Sequence, residues 1–278
     1  MSMNVVYTRM HGTGNVILVV DMRTGTTAPP SPQRLRELGD DATGPGFDQL
    51  MWVTAADDPA YAASYRIFNA DGSEVEQCGN GVRCVAAMLA STGTHDPSFT
   101  LMSPAGPVEA RVDDDGLVEV SMGTPEFEPS RVPFAADRRQ DRYGLDVDGL
   151  SYDVCVVSMG NPHCVLQVDD VAKAPVAALG PKIEHHERFP EKTNVGFVCI
   201  TGRNSIDLRV HERGVGETQA CGTGACAAVV TGQMLGLLDT DVSVRLPGGQ
   251  VVVSWRGGQE PVWLTGNAET LSEGTIDL

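Results

Sequence analysis

One short motif occurs twice in the chain, each time directly before an apolar, alanine-rich run. The first copy is Cys78-Gly79-Asn80-Gly81 and the second is Cys221-Gly222-Thr223-Gly224, at a spacing of 143 residues. The runs before the motifs are typical of strands, and the runs after them predict helices. Such a helix start places a thiol and several backbone N–H groups at the positive end of the helix. The sequence therefore predicts two helix ends that bind carboxylates and lower the pKa of a thiol.

Other residues repeat at nearly the same spacing, which indicates an internal duplication. Gly14-Asn15 corresponds to Gly160-Asn161 at a spacing of 146, and Gln49 corresponds to Asn194 at 145. A single cysteine beside a glycine turn is most often a small apolar core residue, but a matched pair with matched flanks argues for function. The predicted fold class is α+β, with two pseudo-symmetric halves that each wrap a mainly antiparallel or mixed sheet around a central helix.

The halves are expected at residues 1–122 plus 268–278 and at residues 123–267, with the Pro-, Arg- and Asp-rich segment after Gly123 as the crossing. If the halves pack about a pseudo-twofold axis, the two helix starts face each other and a ligand lies between them. Ser31-Pro32 predicts a helix through Leu38, with the serine as N-cap and the proline at the first helical position. Apolar runs bounded by glycine and proline turns predict strands at 4–10, 16–20, 47–53, 62–69, 99–102, 108–112, 117–122 and 152–157.

Composition excludes several classes of protein. Acidic residues outnumber basic ones, 37 to 20, for a net charge of −17, which argues against binding to nucleic acid or to an anionic membrane. No run approaches the roughly 18 apolar residues of a membrane span, and no signal peptide is expected. Seven cysteines without a secretory signal predict reduced thiols in a cytoplasmic protein. Because the cysteines lack C-x2-C spacing and no paired histidine follows, no metal site is expected.

Two thiols at opposed helix ends suit the inversion of a carbon that carries a carboxylate. One thiolate removes a proton from one face and the other thiol delivers a proton to the opposite face, so the two titrate as a coupled pair. A helix end contributes at most about 2 kcal/mol, or about 1.5 pKa units, which is enough for a useful thiolate fraction. The amides behind the two cysteines can bind the carboxylate and the charge that spreads into it. This chemistry needs no pyridoxal cofactor.

A second group of polar residues predicts a recognition surface for the rest of the substrate. Arg213 can grip a carboxylate bidentately, and Glu212 can accept from an ammonium group. His163 can orient a thiol, although a structural histidine remains an alternative. Amide contacts are expected from Asn69, Asn161 and Asn194, each of which taken singly is also typical of a turn or cap. A substrate with an amino-acid group at each end would use all of these features.

Segments distributed along nearly the whole chain resemble the diaminopimelate epimerase family. They are Met10 to Asn15, Gly46 to Gln49, Phe68 to Ser73, Gln77 to Cys84, Gly160 to His163, Thr193-Asn194 and Glu212 to Gly224. The resemblance implies the cofactor-independent interconversion of LL- and meso-diaminopimelate, in lysine and cell-wall precursor biosynthesis, by a cytoplasmic homodimer. The family usually continues Gly-Asn with Asp-Phe, whereas this chain has Val16-Ile17, which leaves open what positions the first loop.

The resemblance also implies a role for each site residue. Cys78 and Cys221 would be the acid–base pair, assisted or oriented by His163 and Glu212. The reacting carboxylate would be held by the backbone N–H groups of Gly79, Asn80, Gly222 and Thr223. Side chains would bind the remainder of the substrate, with Gln49 as a further candidate beside Asn15, Asn69, Asn161, Asn194, Glu212 and Arg213.

Two other functions stay open at this point. A proline or hydroxyproline racemase also uses two cysteines, but it tends to have histidine where this chain has Asn80. Such an enzyme also needs no residues that recognise a second, distant end of its substrate. A non-catalytic amino-acid-binding protein would carry the thiols incidentally, so that cysteine replacement would leave its function intact. No feature of the sequence favours a scaffold role.

Overall fold

The computed structural model describes residues 4–75, 78–93 and 97–278, which form two compact units. The first unit comprises Met1–Ser121 and Thr265–Leu278, and the second comprises Met122–Leu264. Gln77, which belongs to the first motif segment, lies outside the described residues. Among the described residues, none of the helices has both the length and the apolar character that a membrane span requires.

The described part of the first unit has two helices, α1 (Pro32–Gly39) and α2 (Gly79–Ser91). Its described strands are β1 (Asn4–Gly12), β2 (Asn15–Asp21), β3 (Gln49–Thr54), β4 (Ala63–Asn69), β5 (Glu74–Val75), β6 (Ser98–Ser103), β7 (Gly106–Val112), β8 (Val118–Ser121) and β18 (Glu269–Asp277).

The second unit also has two α-helices, α3 (Val176–Glu184) and α4 (Gly222–Met234), and two 3₁₀ turns at Pro129–Arg131 and Val171–Lys173. Its strands are β9 (Tyr143–Val147), β10 (Leu150–Ser158), β11 (Pro162–Gln167), β12 (Asn194–Gly202), β13 (Ser205–Glu212), β14 (Gly216–Thr218), β15 (Asp241–Leu246) and β16 (Gly249–Ser254). Strand β17 (Trp263–Gly266) runs across the boundary between the two units.

The two units repeat one pattern of strand pairing. In the first, β1 and β2 are antiparallel, β2 and β3 parallel, β3 and β4 antiparallel, β4 and β6 parallel, and β6 and β7 antiparallel. In the second, the same sequence of pairings runs through β10, β11, β12, β13, β15 and β16. Each parallel step encloses a helix, which is the usual element of a parallel crossover connection. The predicted α+β class, with two like-folded halves of mixed sheet, is therefore confirmed.

Both faces of the sheet in the first unit are covered. Along β3, Leu50 and Trp52 pack with Leu35 and Leu38 of α1 on one face. The alternate residue Met51 faces α2 on the other side, where it lies against Gly81. Because successive side chains of a strand point to opposite faces, a strand buried on both sides loses its apolar alternation, as β3 does. The first unit therefore stacks α1, the sheet and α2 in layers.

The central helices are buried over most of their length. Helix α4 is buried over almost its whole length, from Thr223 to Gly232, and α2 is buried from Gly79 to Ala86. A helix that is hydrophobic all round belongs in a core. Both begin at the residue after a motif cysteine, as the sequence predicts. The short helix with Ser31 as N-cap is confirmed too, since Ser31 accepts from the Arg34 backbone N–H.

Helix α3 was not anticipated from the sequence. It is short and carries Pro181 in its interior, and proline normally ends a helix because it lacks an N–H and clashes with the preceding turn. Packing compensates, since Val176, Leu179 and Ile183 join the second core with Phe197. The helix therefore forms for tertiary reasons that its own sequence does not signal.

Candidate active site

Cys78 is the N-cap residue of α2. Its backbone is extended, with φ −153° and ψ 98°, and its Sγ accepts from the Gly81 N–H at 3.1 Å. The Cys78 carbonyl accepts from the Val82 N–H, which is the first helical bond. The N–H groups of Gly79 and Asn80 occupy the first two helical positions, where no intrahelical acceptor exists. A thiol sulfur and two N–H groups without an intrahelical acceptor therefore share one helix end.

Cys221 repeats this geometry at the start of α4. Its φ is −127° and its ψ is 109°, and its Sγ accepts from the Gly224 N–H at 3.4 Å. The Thr223 hydroxyl lies 3.5 Å from the same sulfur. The first two helical positions are held by Gly222 and Thr223, so their N–H groups are the counterparts of those of Gly79 and Asn80. The Cys221 side chain is buried, whereas Cys78 is partly exposed.

The second glycine of each motif is required by close packing. A Cβ on Gly81 would lie 2.5 Å from Met51 Sδ and 3.3 Å from Cys78 Sγ. A Cβ on Gly224 would lie 3.0 Å from Val210 Cγ2 and 3.2 Å from Cys221 Sγ. A methyl group at either position would push the helix start away from the neighbouring strand and the thiol. The repeated spacing of cysteine and glycine is therefore a packing requirement of the fold.

Four polar residues join the first loop to the start of α2. Asn80 Nδ2 donates to Asn15 Oδ1 at 2.6 Å, and Asn80 Oδ1 accepts from Arg83 Nη2 at 3.0 Å. The same guanidinium nitrogen donates to Thr13 Oγ1 at 2.7 Å. Arg83 is fully buried and Asn80 nearly so. Because a guanidinium has no acceptor, it fixes which end of the Asn80 amide faces it, and this leaves the Asn15 amide N–H groups as donors.

Gln49 and Asn69 form a second pair in this unit. They are opposite each other on β3 and β4, and Gln49 Nε2 donates to Asn69 Oδ1 at 3.0 Å. Asn69 Nδ2 in turn donates to Ser73 Oγ at 3.0 Å. Both amides are partly exposed at their strand ends. The described contacts connect them with each other and with the turn after β4, whereas Asn15 belongs to the group around Asn80.

In the second unit, a chain of hydrogen bonds leads from His163 to the thiol of Cys221. The buried His163 ring bonds through Nε2 to Asn161 Oδ1 at 3.0 Å. Asn161 Nδ2 donates to Thr223 Oγ1 at 3.4 Å, which leaves the Thr223 hydroxyl proton for Cys221 Sγ. Burial, with the positive charge of Arg213, lowers the pKa of His163 to about 3. The ring is therefore neutral at pH 7, and its Nε2–H is the donor to Asn161.

Glu212 and Arg213 lie at the end of β13. Glu212 accepts from Thr218 Oγ1 at 2.5 Å and from the Cys221 thiol. The backbone N–H of Arg213 donates to Asn194 Oδ1 at 2.9 Å, and Asn194 Nδ2 donates to the Pro162 carbonyl. The Arg213 guanidinium is exposed, with Nη1 on the Glu191 carbonyl at 3.1 Å. The second unit thus gathers Cys221, Thr223, Asn161, His163, Asn194, Glu212 and Arg213.

The expected lowering of the thiol pKa is wrong for Cys221. Burial and the nearby Glu212 carboxylate raise the Cys221 pKa well above its usual value, although the Thr223 hydroxyl and the Gly224 N–H act in the opposite direction. Burial also raises the pKa of Glu212. In this arrangement Cys221 is protonated, and its S–H group donates a hydrogen bond to the Glu212 carboxylate. The helix end moderates the rise but does not overcome desolvation.

Sequence reasoning assigned no role to Arg83, Thr13, Asp48 or Thr218. Asp48 answers the question raised by Val16-Ile17, since Asp48 Oδ2 accepts from the Val16 N–H at 2.8 Å. The backbone of these two residues is bonded as well, with the Asp48 N–H on the Val16 carbonyl. All four residues lie inside the segments that resemble the family, which was the available signal. Among the described residues, no group of three or more His, Cys, Asp or Glu is placed to hold a metal ion.

A family model described as diaminopimelate epimerase matches residues 7–128 and 155–271 of the chain. Curated relatives called diaminopimelate epimerase are similar over almost the whole length. The protein from Pseudomonas entomophila (strain L48) is 49% identical over 98% of this chain and 99% of its own. The one from Thioalkalivibrio sulfidiphilus (strain HL-EbGR7) is 48% identical over 99% of this chain and 100% of its own.

Solved structures share the fold at low sequence identity. A hydroxyproline epimerase from Agrobacterium vitis has a TM-score of 0.70 at 17% identity, covering 99% of this chain and 93% of its own. A predicted epimerase from Pseudomonas aeruginosa has a TM-score of 0.67 at 18% identity, covering 98% of this chain and 99% of its own. At these identities the likeness shows the fold alone.

Proposed function

This chain belongs to the diaminopimelate epimerase family, and we propose that it interconverts LL- and meso-diaminopimelate with Cys78 and Cys221 as its two proton carriers. The observation that carries the proposal is the repeated helix start, in which each cysteine caps a buried central helix and receives an N–H bond on its sulfur. No other pair of thiols in the described residues has this setting in both units.

The reaction balances with these two thiols alone. One cysteine, as the thiolate, takes the α-proton, so the Cα–H bond breaks and an S–H bond forms. The electron pair of the broken bond moves into the adjacent carboxylate. The other cysteine then delivers its thiol proton to the opposite face of the carbon, its S–H bond breaks, and a thiolate remains. Reversal exchanges the roles of the two residues.

Backbone donors at the helix starts would stabilise the carboxylate while it takes up this charge. The first two N–H groups of α2 and α4, on Gly79, Asn80, Gly222 and Thr223, have no intrahelical acceptor. Fixed donors aimed at a developing negative charge need no rearrangement during the reaction, which is the origin of most of their catalytic effect. The same groups fit the ground-state carboxylate.

Glu212 and His163 would assist the second thiol. The Glu212 carboxylate accepts from the Cys221 thiol, so it is placed to take the thiol proton when Cys221 must act as base. The chain from His163 through Asn161 ends at the Thr223 hydroxyl beside the same sulfur. Because His163 is neutral, it orients this chain and adds no positive charge.

The other end of the substrate would be bound by polar side chains. Arg213 presents a planar guanidinium that can hold a carboxylate bidentately. Recognition of this end would be completed by the side-chain amides of Asn15, Gln49, Asn69, Asn161 and Asn194. Backbone contacts support the assignment, since the Arg213 N–H is itself held by Asn194. We further propose that the enzyme is a cytoplasmic homodimer, which ultracentrifugation of the purified protein and fractionation of the cells that make it would test.

The decisive experiment is to incubate the purified protein with LL-diaminopimelate in a buffer without pyridoxal phosphate and to follow the ratio of isomers. We expect the ratio to approach the equilibrium mixture from either isomer. The same protein should leave L-proline and trans-4-hydroxy-L-proline unchanged. Racemisation of proline in place of diaminopimelate would favour the racemase reading, and binding of diaminopimelate without turnover would favour a binding protein.

A further inference from the structure

A buried hydrogen bond between His211 and Glu184 lies next to the turn that carries Arg213. His211 Nε2 bonds to Glu184 Oε2 at 2.8 Å, and the side chains are only 7% and 5% exposed. A buried carboxylate is costly unless its charge is paired and its oxygens accept hydrogen bonds. His211 supplies one such bond and holds the Glu184 pKa below its usual range, together with a backbone N–H and His185, against the effect of burial. Glu184 is therefore ionised at neutral pH.

The second oxygen of Glu184 reaches the turn itself. Glu184 Oε1 accepts from the backbone N–H of Gly214 at 2.9 Å. One carboxylate therefore binds the residues on both sides of the Glu212–Arg213 pair, His211 before it and Gly214 after it. Because a carboxylate that accepts two fixed donors has little freedom, it fastens the turn to the end of α3.

Helix α3 is shaped to receive the histidine ring. Gly180 lies one helical turn before Glu184, so the two residues share a face of the helix. A Cβ at Gly180 would lie 2.6 Å from His211 Cγ and 2.9 Å from its Nδ1. The glycine therefore provides the space in which the ring lies while its Nε2 reaches Glu184. Nothing in the roles proposed so far uses this arrangement.

Building on the proposed function, we propose that Glu184 is a positioning residue that, with His211, sets where Arg213 presents its guanidinium to the far end of the substrate. Two backbone N–H groups fix the turn, that of Arg213 on Asn194 and that of Gly214 on Glu184. Glu212 has a separate anchor in the Thr218 hydroxyl. Loss of the Glu184 contacts should therefore weaken binding of the far end more than proton transfer.

The test is Glu184→Gln, which preserves the size of the side chain and an acceptor but removes the charge. We expect the KM for diaminopimelate to rise about tenfold, with kcat within about threefold of wild type, because the guanidinium is less well placed. The matched control is Glu187→Gln, which makes the same change at an exposed position of the following turn and should leave both constants unchanged. A fall in kcat at constant KM, or no change in either constant, would overturn the proposal.

Gly180→Ala perturbs the same turn through the ring of His211. Its methyl group must displace His211, so we expect the same rise in KM, and this variant decides if Glu184→Gln does not fold. An analogue that lacks both the amino and the carboxylate group of the far end, 2-aminoheptanoate, gives a second readout through the exchange of its α-hydrogen with heavy water. Its slow exchange should be equal in wild type and Glu184→Gln, whereas general damage would lower both reactions. A wild-type protein that does not epimerise diaminopimelate would count against the proposed function and not against this inference.

Discussion

The side chain of Asn80 donates to Asn15 Oδ1 at 2.6 Å and accepts from the buried Arg83 guanidinium at 3.0 Å. These two bonds connect the first polar loop with the start of the helix that Cys78 caps. They also fix the orientation of both amides, because Arg83 can only donate. A loop residue proposed to bind substrate is therefore positioned by a core arginine.

Asn80→Ala should lower both stability and substrate affinity. The substitution removes the oxygen that accepts from the buried Arg83 and the amide group that donates to Asn15. A buried polar group left without its partner costs about 1–3 kcal/mol. The better helix propensity of alanine offsets only part of this cost. Urea unfolding and the KM for diaminopimelate measure the two effects. Asn204→Ala, at an exposed turn, is the control, and an unchanged KM in Asn80→Ala would show that Asn15 does not depend on this contact.

Cys78→Ala and Cys221→Ala should each reduce turnover below about one per cent of wild type, because neither direction can finish without both proton carriers. The readout is the isomer ratio, starting from each isomer in turn. Cys84→Ala and Cys155→Ala are the controls, since both residues are buried thiols whose pKa is raised by burial. These two changes should cost stability alone. A folded Cys78→Ala or Cys221→Ala protein with several per cent of wild-type turnover would disprove the two-thiol assignment.

Arg213→Ala should impair the reaction more than Arg213→Lys, yet both should be severe. An ammonium is a point charge and cannot replace a planar fork on a carboxylate. The measurement is kcat/KM for diaminopimelate, with Arg203→Ala, which removes an exposed arginine paired with Asp239, as the control. Efficient racemisation of a simple monocarboxylic amino acid by the wild-type protein would contradict the recognition of a far end.

His163 makes stability depend on pH. Its pKa is lowered to about 3 in the folded protein, whereas an unfolded histidine titrates near 6.5. The unfolded chain therefore binds more protons between these values, and the free energy of unfolding falls by about 1.4 kcal/mol per pH unit as the pH drops below 6.5. Above pH 6.5 this contribution is fully present.

Urea unfolding of wild type and His163→Asn between pH 7.5 and about pH 4.5 measures this dependence. The difference between the two slopes of unfolding free energy against pH should equal the loss expected for one histidine. Equal slopes in wild type and His163→Asn would mean that the ring is protonated within the fold.

The origin of the incoming proton distinguishes two bases from one. If separate thiols act on the two faces, the proton removed by one does not return from the other within a turnover. In heavy water, early product from either isomer should therefore carry deuterium at the inverted carbon, while the remaining substrate is largely unlabelled. Mass spectrometry of both isomers during the first turnovers measures this. Early product that retains its original hydrogen would contradict the two-thiol mechanism.

Local sequence was sufficient for the framework of the site. A cysteine followed by Gly-x-Gly and an apolar run predicts an N-capped helix start, and both copies of this pattern in the chain form one. Capping residues and apolar runs act within a few residues, so they can be recognised without a structure. The α+β class followed from the same duplication.

The tertiary structure decided the electrostatics and the supports of the site. Arg83 and Thr13 are 70 residues apart in the chain, and His211 and Glu184 are 27 apart, so no local pattern pairs them. The pKa of Cys221 also reversed the sequence-based expectation, because burial and the Glu212 charge outweigh the helix end. Desolvation and charge pairing depend on which distant segments pack around a group, and only the folded chain determines that.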